Sequence, residues 1–173
     1  MSPNLPVPIS ELLVDSEELA DLIRAAIDEG HAISLFAPGS SMKPFIRSGD
    51  KIFISPVDKK SIRIGDILVF MRPSDGRVLV HRAVKIVGDR FLCKGDNVAV
   101  QNDGWILFGD LLGRVDRVER AGKPVLLGVR YGKRSIALFS RKNKLVPVIN
   151  TLRKIKWGFI GLFSSRGKRN SDT

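Results

Sequence analysis

Two hydrophobic periods divide the chain. From Asp15 to Gly30, the residues Leu19, Leu22, Ile23, Ala26 and Ile27 recur at the three- and four-residue spacing of one helix face. Asp15 stands where an N-cap belongs, with Glu18 three residues on, and Gly30 supplies a C-terminal stop. This pattern predicts an amphipathic helix, preceded over residues 1–14 by a loose arm holding three prolines. Further on the period shortens. Runs rich in Val, Ile, Leu and Phe cover Ala32–Ala37, Lys51–Val57, Asp66–Arg72, Val78–Val87, Arg90–Lys94, Gly113–Glu119 and Val125–Val129. Gly-Asp or Asp-Gly pairs punctuate them, such as Gly49-Asp50, Gly65-Asp66, Asp75-Gly76 and Gly95-Asp96. Short strands with turn chemistry between them predict a mainly β, predominantly antiparallel domain, and most of the Gly-Asp pairs need no explanation beyond the turn itself. After Val129 the pattern gives way to basic, mixed sequence. The predicted organisation is an arm and helix over 1–31, a β domain over 32–130 and a basic C-terminal segment over 131–173.

Charge sharpens that division. The formal net charge of the 173 residues is +11. Residues 1–132 carry 18 Lys and Arg against 17 Asp and Glu, whereas residues 133–173 carry 11 against the single Asp172. The body is balanced and the C-terminal segment is strongly basic, so an acidic partner is expected there. A single cysteine, Cys93, excludes an intramolecular disulfide, and two histidines, His31 and His81, leave little for a metal site. No metal cluster or nucleotide loop is present in the sequence, so no cofactor is expected.

The N-terminus lacks a basic stretch followed by an apolar run and does not read as a secretory signal. No window reaches the ~18–20 uninterrupted apolar residues of a membrane-spanning helix. Residues 145–163 come nearest, but Arg153, Lys154 and Lys156 interrupt them. With Trp157, Phe159 and Phe163 among cations, this stretch suits a helix lying in a membrane interface. An anionic membrane surface contacted through residues 145–169 is therefore one expected partner, giving a peripheral membrane-associated or cytoplasmic protein. Nucleic acid held through its phosphates is the alternative partner for the same charge.

The densest chemistry lies in Gly39-Ser40-Ser41-Met42-Lys43-Pro44, where a predicted strand ends in a Pro38-Gly39 turn and leaves two serines on a tight bend. A serine hydroxyl needs a base to become a nucleophile. His81 lies within the run Val78–Val87, where alternation puts Leu79, His81 and Ala83 on one face and Val78, Val80 and Arg82 on the other. By themselves, a serine at a turn and a histidine on a strand are ordinary features of a β domain.

Three ordered blocks change their meaning. Gly39-Ser40-Ser41-Met42-Lys43-Pro44 with Gly49-Asp50, then Gly65–Phe70 with Val80-His81-Arg82-Ala83-Val84, then Phe91-Leu92-Cys93-Lys94-Gly95-Asp96-Asn97, followed by Leu112–Val115, resemble the signatures of the signal peptidase I and LexA-like superfamily of serine peptidases. The resemblance covers roughly residues 32–118. It implies the β fold of that superfamily, with Ser41 as nucleophile. A histidine in place of the lysine of bacterial signal peptidases and LexA-type proteins resembles the archaeal and endoplasmic-reticulum-type branch, which makes His81 the general base. In that branch an aspartate orients the histidine. Asp96 matches one such position; at the other stands Asn102 with Asp103 beside it, so Asp96 is favoured over Asp103.

The resemblance places Ser40, Met42 and Pro44 at the oxyanion and substrate cleft. Where some bacterial relatives use a serine hydroxyl two residues before the nucleophile, this chain has Gly39, which leaves the Ser41 N–H, with Ser40 as a candidate second donor. Lys43 reads as surface charge. The acidic helix before the serine stands where signal peptidases have a membrane anchor. The function implied by the resemblance is that of a serine endopeptidase cleaving an extended, leader- or signal-like polypeptide. The alternative is a LexA-like regulatory module or an inactive member with a basic tail. A single clear N-terminal helix argues against a helix-turn-helix, and the only Ala-Gly bond, Ala121-Gly122, lies beyond the core.

Overall fold

The computed structural model describes residues 16–99 and 101–151; the arm over 1–14 and most of the basic segment expected at a membrane interface lie outside the described residues. Helix α1 (Ser16–Asp28) buries Ala20 and Ile23. It ends in a glycine stop, with Gly30 N–H donating to Ile27 and His31 N–H to Ala26. Leu22, counted on its apolar face, is largely exposed at that face's margin.

Eight strands come after it: β1 (Ile33–Phe36), β2 (Lys51–Ser55), β3 (Ile67–Met71), β4 (Val78–Val87), β5 (Arg90–Lys94), β6 (Trp105–Leu107), β7 (Leu111–Arg120) and β8 (Lys123–Pro124). They form one antiparallel sheet in the order β1-β2-β7-β3-β4-β5-β6, with β8 beside β7. Irregularities in register at Phe53/Ile54, Val69/Phe70 and Ala83/Lys85 curl it. Both faces of β3 are covered, which accounts for its unbroken apolar run. Ile67 and Val69 join Ile23, Ile52, Ile54 and Val115 under α1, while Leu68 and Phe70 join Ala83, Phe91, Cys93 and Ile106 on the other side.

One expected strand is absent and one unexpected strand is present. Residues 125–129 are not a strand. Pairing with β7 stops after Val125 N–H reaches Val118 O, and the chain leaves the sheet towards Gly128, whose carbonyl accepts from the buried Arg82. Gly128 has φ +80, and a Cβ there would lie 2.5 Å from the Phe45 ring. β6 was not visible in the sequence, because three residues with only Ile106 buried carry too little pattern. The basic segment begins with helix α2 (Lys133–Arg141), which buries Ile136, Ala137 and Ser140. A further helical stretch over 145–151 adds Leu145 and Ile149 to a small cluster with Phe45 and Ile136.

Several Gly-Asp pairs do more than turn the chain. Asp50 is buried and receives Arg47 N–H at 2.8 Å and the fork of Arg120 at 2.8 and 2.7 Å; Arg120 also donates to Phe45 O. Asp66, also buried, takes Arg63 N–H and the Lys133 ammonium, tying α2 to the sheet. Burial alone would push the Asp50 carboxyl up, but the Arg120 fork and the Arg47 N–H outweigh it and hold it below the usual carboxylate range. Its contribution to stability is therefore complete above the unfolded-state value of about 4 and is lost as pH falls through the folded-state value. In urea unfolding between pH 3 and 7, Asp50→Asn is expected to lower stability at neutral pH by about 1–3 kcal/mol and to flatten the acid slope of the wild type.

Candidate active site

The loop from Ala37 to Asp50 carries Ser41. Ala37 N–H donates to Asp50 O and Gly49 N–H to Ala37 O, closing its base, and Gly39 takes φ +73 at the turn. Phe45 and Ile46 N–H both donate to Met42 O, and the Met42 side chain is buried in the α1 core. Ser41 is thereby fixed between an anchored neighbour and an open cleft. The Lys43-Pro44 peptide bond in this turn is cis.

Strand β4 presents His81 to that serine. His81 Nε2 lies 2.8 Å from Ser41 Oγ, and its Nδ1 lies 2.6 Å from Asp103 Oδ2. The ring meets Phe70 edge-on, and the imidazole and the Asp103 carboxylate are both largely buried. A hydroxyl, an imidazole and a carboxylate stand in line, the arrangement that lets a ring accept a proton on one nitrogen while the other is held by an anion. Asp103 is placed by its own N–H, which donates to Cys93 O, while the adjacent Asn102 carboxamide oxygen caps Gly104 N–H.

Asp96 does not face His81. It is fully buried against Arg82, whose Nε and Nη2 reach its two oxygens at 2.8 and 2.6 Å. The expectation for the carboxylate beside the imidazole thus differs from the geometry, and the reason is strand alternation. Arg82 points to the opposite side of β4 from His81 and claims the Asp96 carboxylate, so the chain continues to Asp103 before an anion reaches Nδ1. The other guanidinium nitrogen donates to Gly65 O and Gly128 O at 2.8 Å each, and the Phe45 ring lies 5.6 Å away. One buried cation therefore joins three segments behind the imidazole.

The Gly95-Asp96 turn also touches the serine. Asn97 N–H donates to Ser41 O at 2.6 Å. A Cβ on Gly95 would lie 2.9 Å from Ser41 O and 3.1 Å from His81 Nε2, so only glycine lets the turn pass this close. Lys94 ties the turn outward, with its ammonium on Ala99 O, Ser140 O and the Asn143 side chain; burial lowers its pKa. Neighbouring Cys93 is fully buried and its thiol is pushed up, chiefly by that burial.

A cleft of about 530 Å³ opens beside Ser41 and His81. Ser40 and Met42 line it; Pro44 does not. The loop supplies Ala37, Gly39 and Ile46 on one side, and Val78, Leu79 and Val80 supply the other. β3 pairs with β4 from Val78 onward, but β5 joins only from Arg82, so among the described strands Val78–His81 has one edge without a partner. The contacts of Arg82 and Asn97 were not read from the sequence. The available signal for Arg82 was a charge on the same strand face as Val78 and Val80.

A curled antiparallel sheet carries this cleft, and comparison with known proteins specifies the family. Residues 22–123 match the family described as signal peptidase, peptidase S26, and the chain belongs to that family. It is similar to the signal peptidase complex catalytic subunit SEC11C of human, mouse and dog, with 35% identity over 86 residues in each case, covering 43% of this chain and 45% of the relative. The chain thus spans about half the length of the curated relatives it matches.

The Arg82–Asp96 pair makes a specific prediction. Arg82→Met and Asp96→Leu are each expected to destabilise by about 3–5 kcal/mol, since each leaves a buried charge unpaired. The double variant is expected to be less destabilised than the sum of the two; thermal or urea denaturation of all four proteins closes the cycle.

Proposed function

We propose that this chain is a serine endopeptidase of the signal peptidase type, with Ser41 as nucleophile, His81 as general base and Asp103, rather than Asp96, as the carboxylate that orients it. The observation that carries this reading is the single imidazole within hydrogen-bond distance of both Ser41 Oγ and Asp103 Oδ2. Membership of the signal peptidase family supports the reaction class.

In the reaction, His81 Nε2 accepts the Ser41 proton as Oγ attacks the scissile carbonyl carbon. Collapse of the tetrahedral intermediate expels the amine, which takes the proton from the imidazolium. Water then attacks the acyl-enzyme, with His81 again as base. The Asp103 carboxylate holds Nδ1–H and stabilises the imidazolium. The Ser41 N–H is the oxyanion donor that this reading retains; it makes no hydrogen bond among the described residues. Ser40, which is exposed on the cleft, stands beside it as a candidate second donor.

The substrate is an extended leader- or signal-like peptide. The free edge of Val78–Val80 supports its pairing as an added strand, with side chains alternating into a cleft of mixed apolar and polar lining. Contact with an anionic membrane surface is part of the same reading. Exposed Leu138 and Phe139 on α2 and Val148 beyond it lie among Arg134, Arg141, Lys142 and Lys144, where the basic segment begins. No helix among the described residues is long and apolar enough to cross a membrane.

Cleavage of an Ala-x-Ala signal-like peptide in the presence of detergent or anionic lipid tests the reading. Ser41→Ala and His81→Ala are expected to abolish cleavage with folding intact. Asp103→Asn is expected to lower kcat by roughly 10²–10⁴ with little change in melting temperature, whereas Asp96→Asn acts mainly on stability. Cleavage that survives Ser41→Ala rules the mechanism out.

A further inference from the structure

The Asp103 carboxylate has two oxygens, and His81 uses only one. Oδ2 holds the imidazole, while Oδ1 faces the Arg72 guanidinium, 3.6 Å from Nη1. Arg72 is itself aimed. Its Nε donates to Asp75 Oδ1 at 2.8 Å and its Nη2 donates to Asp75 Oδ2, so the fork is held from behind and Nη1 is left for Asp103. The β3–β4 turn fixes that fork, with Arg72 N–H donating to Arg77 O and Gly76 N–H to Arg72 O. Arg72 also lines the cleft on the side of Val78–Val80. Its side chain is 20% exposed and that of Asp103 is 7% exposed. The two are partly shielded from water, unlike an ordinary surface pair.

We propose that Arg72 is a positioning residue of the active site, which orients Asp103 through its second oxygen and sets the charge that His81 experiences. This rests on the Ser41–His81–Asp103 reading above. A separation of 3.6 Å is an ion pair and not a hydrogen bond, so Arg72 acts through its charge. Asp75, Arg72 and Asp103 together carry one net negative charge, which an imidazolium at His81 cancels. Of the other groups around the ring, Ser41, the Phe70 edge and the protonated Cys93 thiol near Asp103 add no charge, while Arg47 and Arg77 line the same cleft and Arg82 is paired with Asp96 on the opposite strand face, all three unchanged in the variants below. Without Arg72, the Asp103 carboxylate acts on the imidazole with no guanidinium on its second oxygen. The imidazolium is then over-stabilised, the base is more often already protonated at neutral pH, and Oδ1 of Asp103 loses the charge that orients it. A cation this close to the carboxylate behind an imidazole thus favours the neutral, proton-accepting form of the ring.

Two histidines in the whole chain make this measurable without any assumption about substrate. The titration midpoints of His81 and His31 are read by imidazole NMR in wild type, Arg72→Met, Arg72→Lys and Asp75→Asn. In Arg72→Met the His81 midpoint is expected to rise by roughly half a pH unit, with His31 unmoved; Arg72→Lys is expected to restore most of the wild-type value. In Asp75→Asn, which removes an anion and frees Arg72, the midpoint is expected to fall or stay where it is. General damage to the site would move both variants the same way. An unmoved His81 midpoint in a folded Arg72→Met protein overturns the proposal, and so does a rise in Asp75→Asn, which keeps the test alive if Arg72→Met fails to fold. The acid limb of kcat/KM for the signal-like peptide is expected to track the NMR midpoint. Peptide cleavage lost in Ser41→Ala, together with an unmoved midpoint, keeps the peptidase reading and removes this role for Arg72. The expected shift in a protein that cleaves no peptide leaves the charge coupling standing and removes the peptidase reading.

Discussion

Arg82 and Asp96 form an ion pair with no exposure to solvent, and the arrangement around Ser41 is built outward from it. A guanidinium that deep is tolerable only if its donors are satisfied, and here they meet Asp96, Gly65 O and Gly128 O. Those partners belong to three stretches of chain that are otherwise far apart in sequence. Satisfying one side chain therefore fixes the start of β3, the turn after β5 and the loop that leaves β8. Such a pair adds little net stability compared with an apolar replacement, but breaking it is costly. Its value here is geometric: it leaves few alternative positions for the turn that touches Ser41.

The chemistry sits one residue away on the other side of the same strand. Because neighbouring side chains on β4 point to opposite faces, His81 reaches the cleft while Arg82 reaches the interior, and a shift of either moves both. The serine loop is secured separately, by Asp50 and Arg120 at its base and by Met42 in the core. The serine hydroxyl and the imidazole thus come from two separately anchored elements, which meet across the Gly95 turn at a distance that any side chain on that residue would enlarge. The 2.8 Å separation of Oγ and Nε2 is thereby held by the fold itself.

Family membership and geometry bear on different parts of the functional reading. The family match over residues 22–123 places the chain in the signal peptidase family, and the separate alignment with the SEC11C catalytic subunit covers 45% of that relative. The geometry adds the proximity of hydroxyl, imidazole and carboxylate and an unpaired strand edge alongside them. That edge runs past the Arg72–Asp75 turn, so the same hairpin that borders the cleft also faces the carboxylate behind the imidazole.

The helix, the strands over 78–87 and 90–94, and the turn bearing two serines were legible in the sequence, because hydrophobic period and Gly-Asp punctuation are local properties of the chain. So was the separation of a balanced body from a basic C-terminal segment. The carboxylate next to His81 was not legible. Asp96 and Asp103 are both acidic residues in one loop, and what separates them is which side of β4 each meets: Arg82 takes the first and His81 the second. The buried destinies of Asp50 and Asp66, the departure of residues 125–129 from the sheet and the part played by Arg72 are hidden for the same reason. Sequence by itself determined which residue types alternate, where the chain turns and which groups were available for chemistry. Only the tertiary structure decided which charge faces which, because ion pairing depends on separations of a few ångströms between segments that pattern along the chain does not relate.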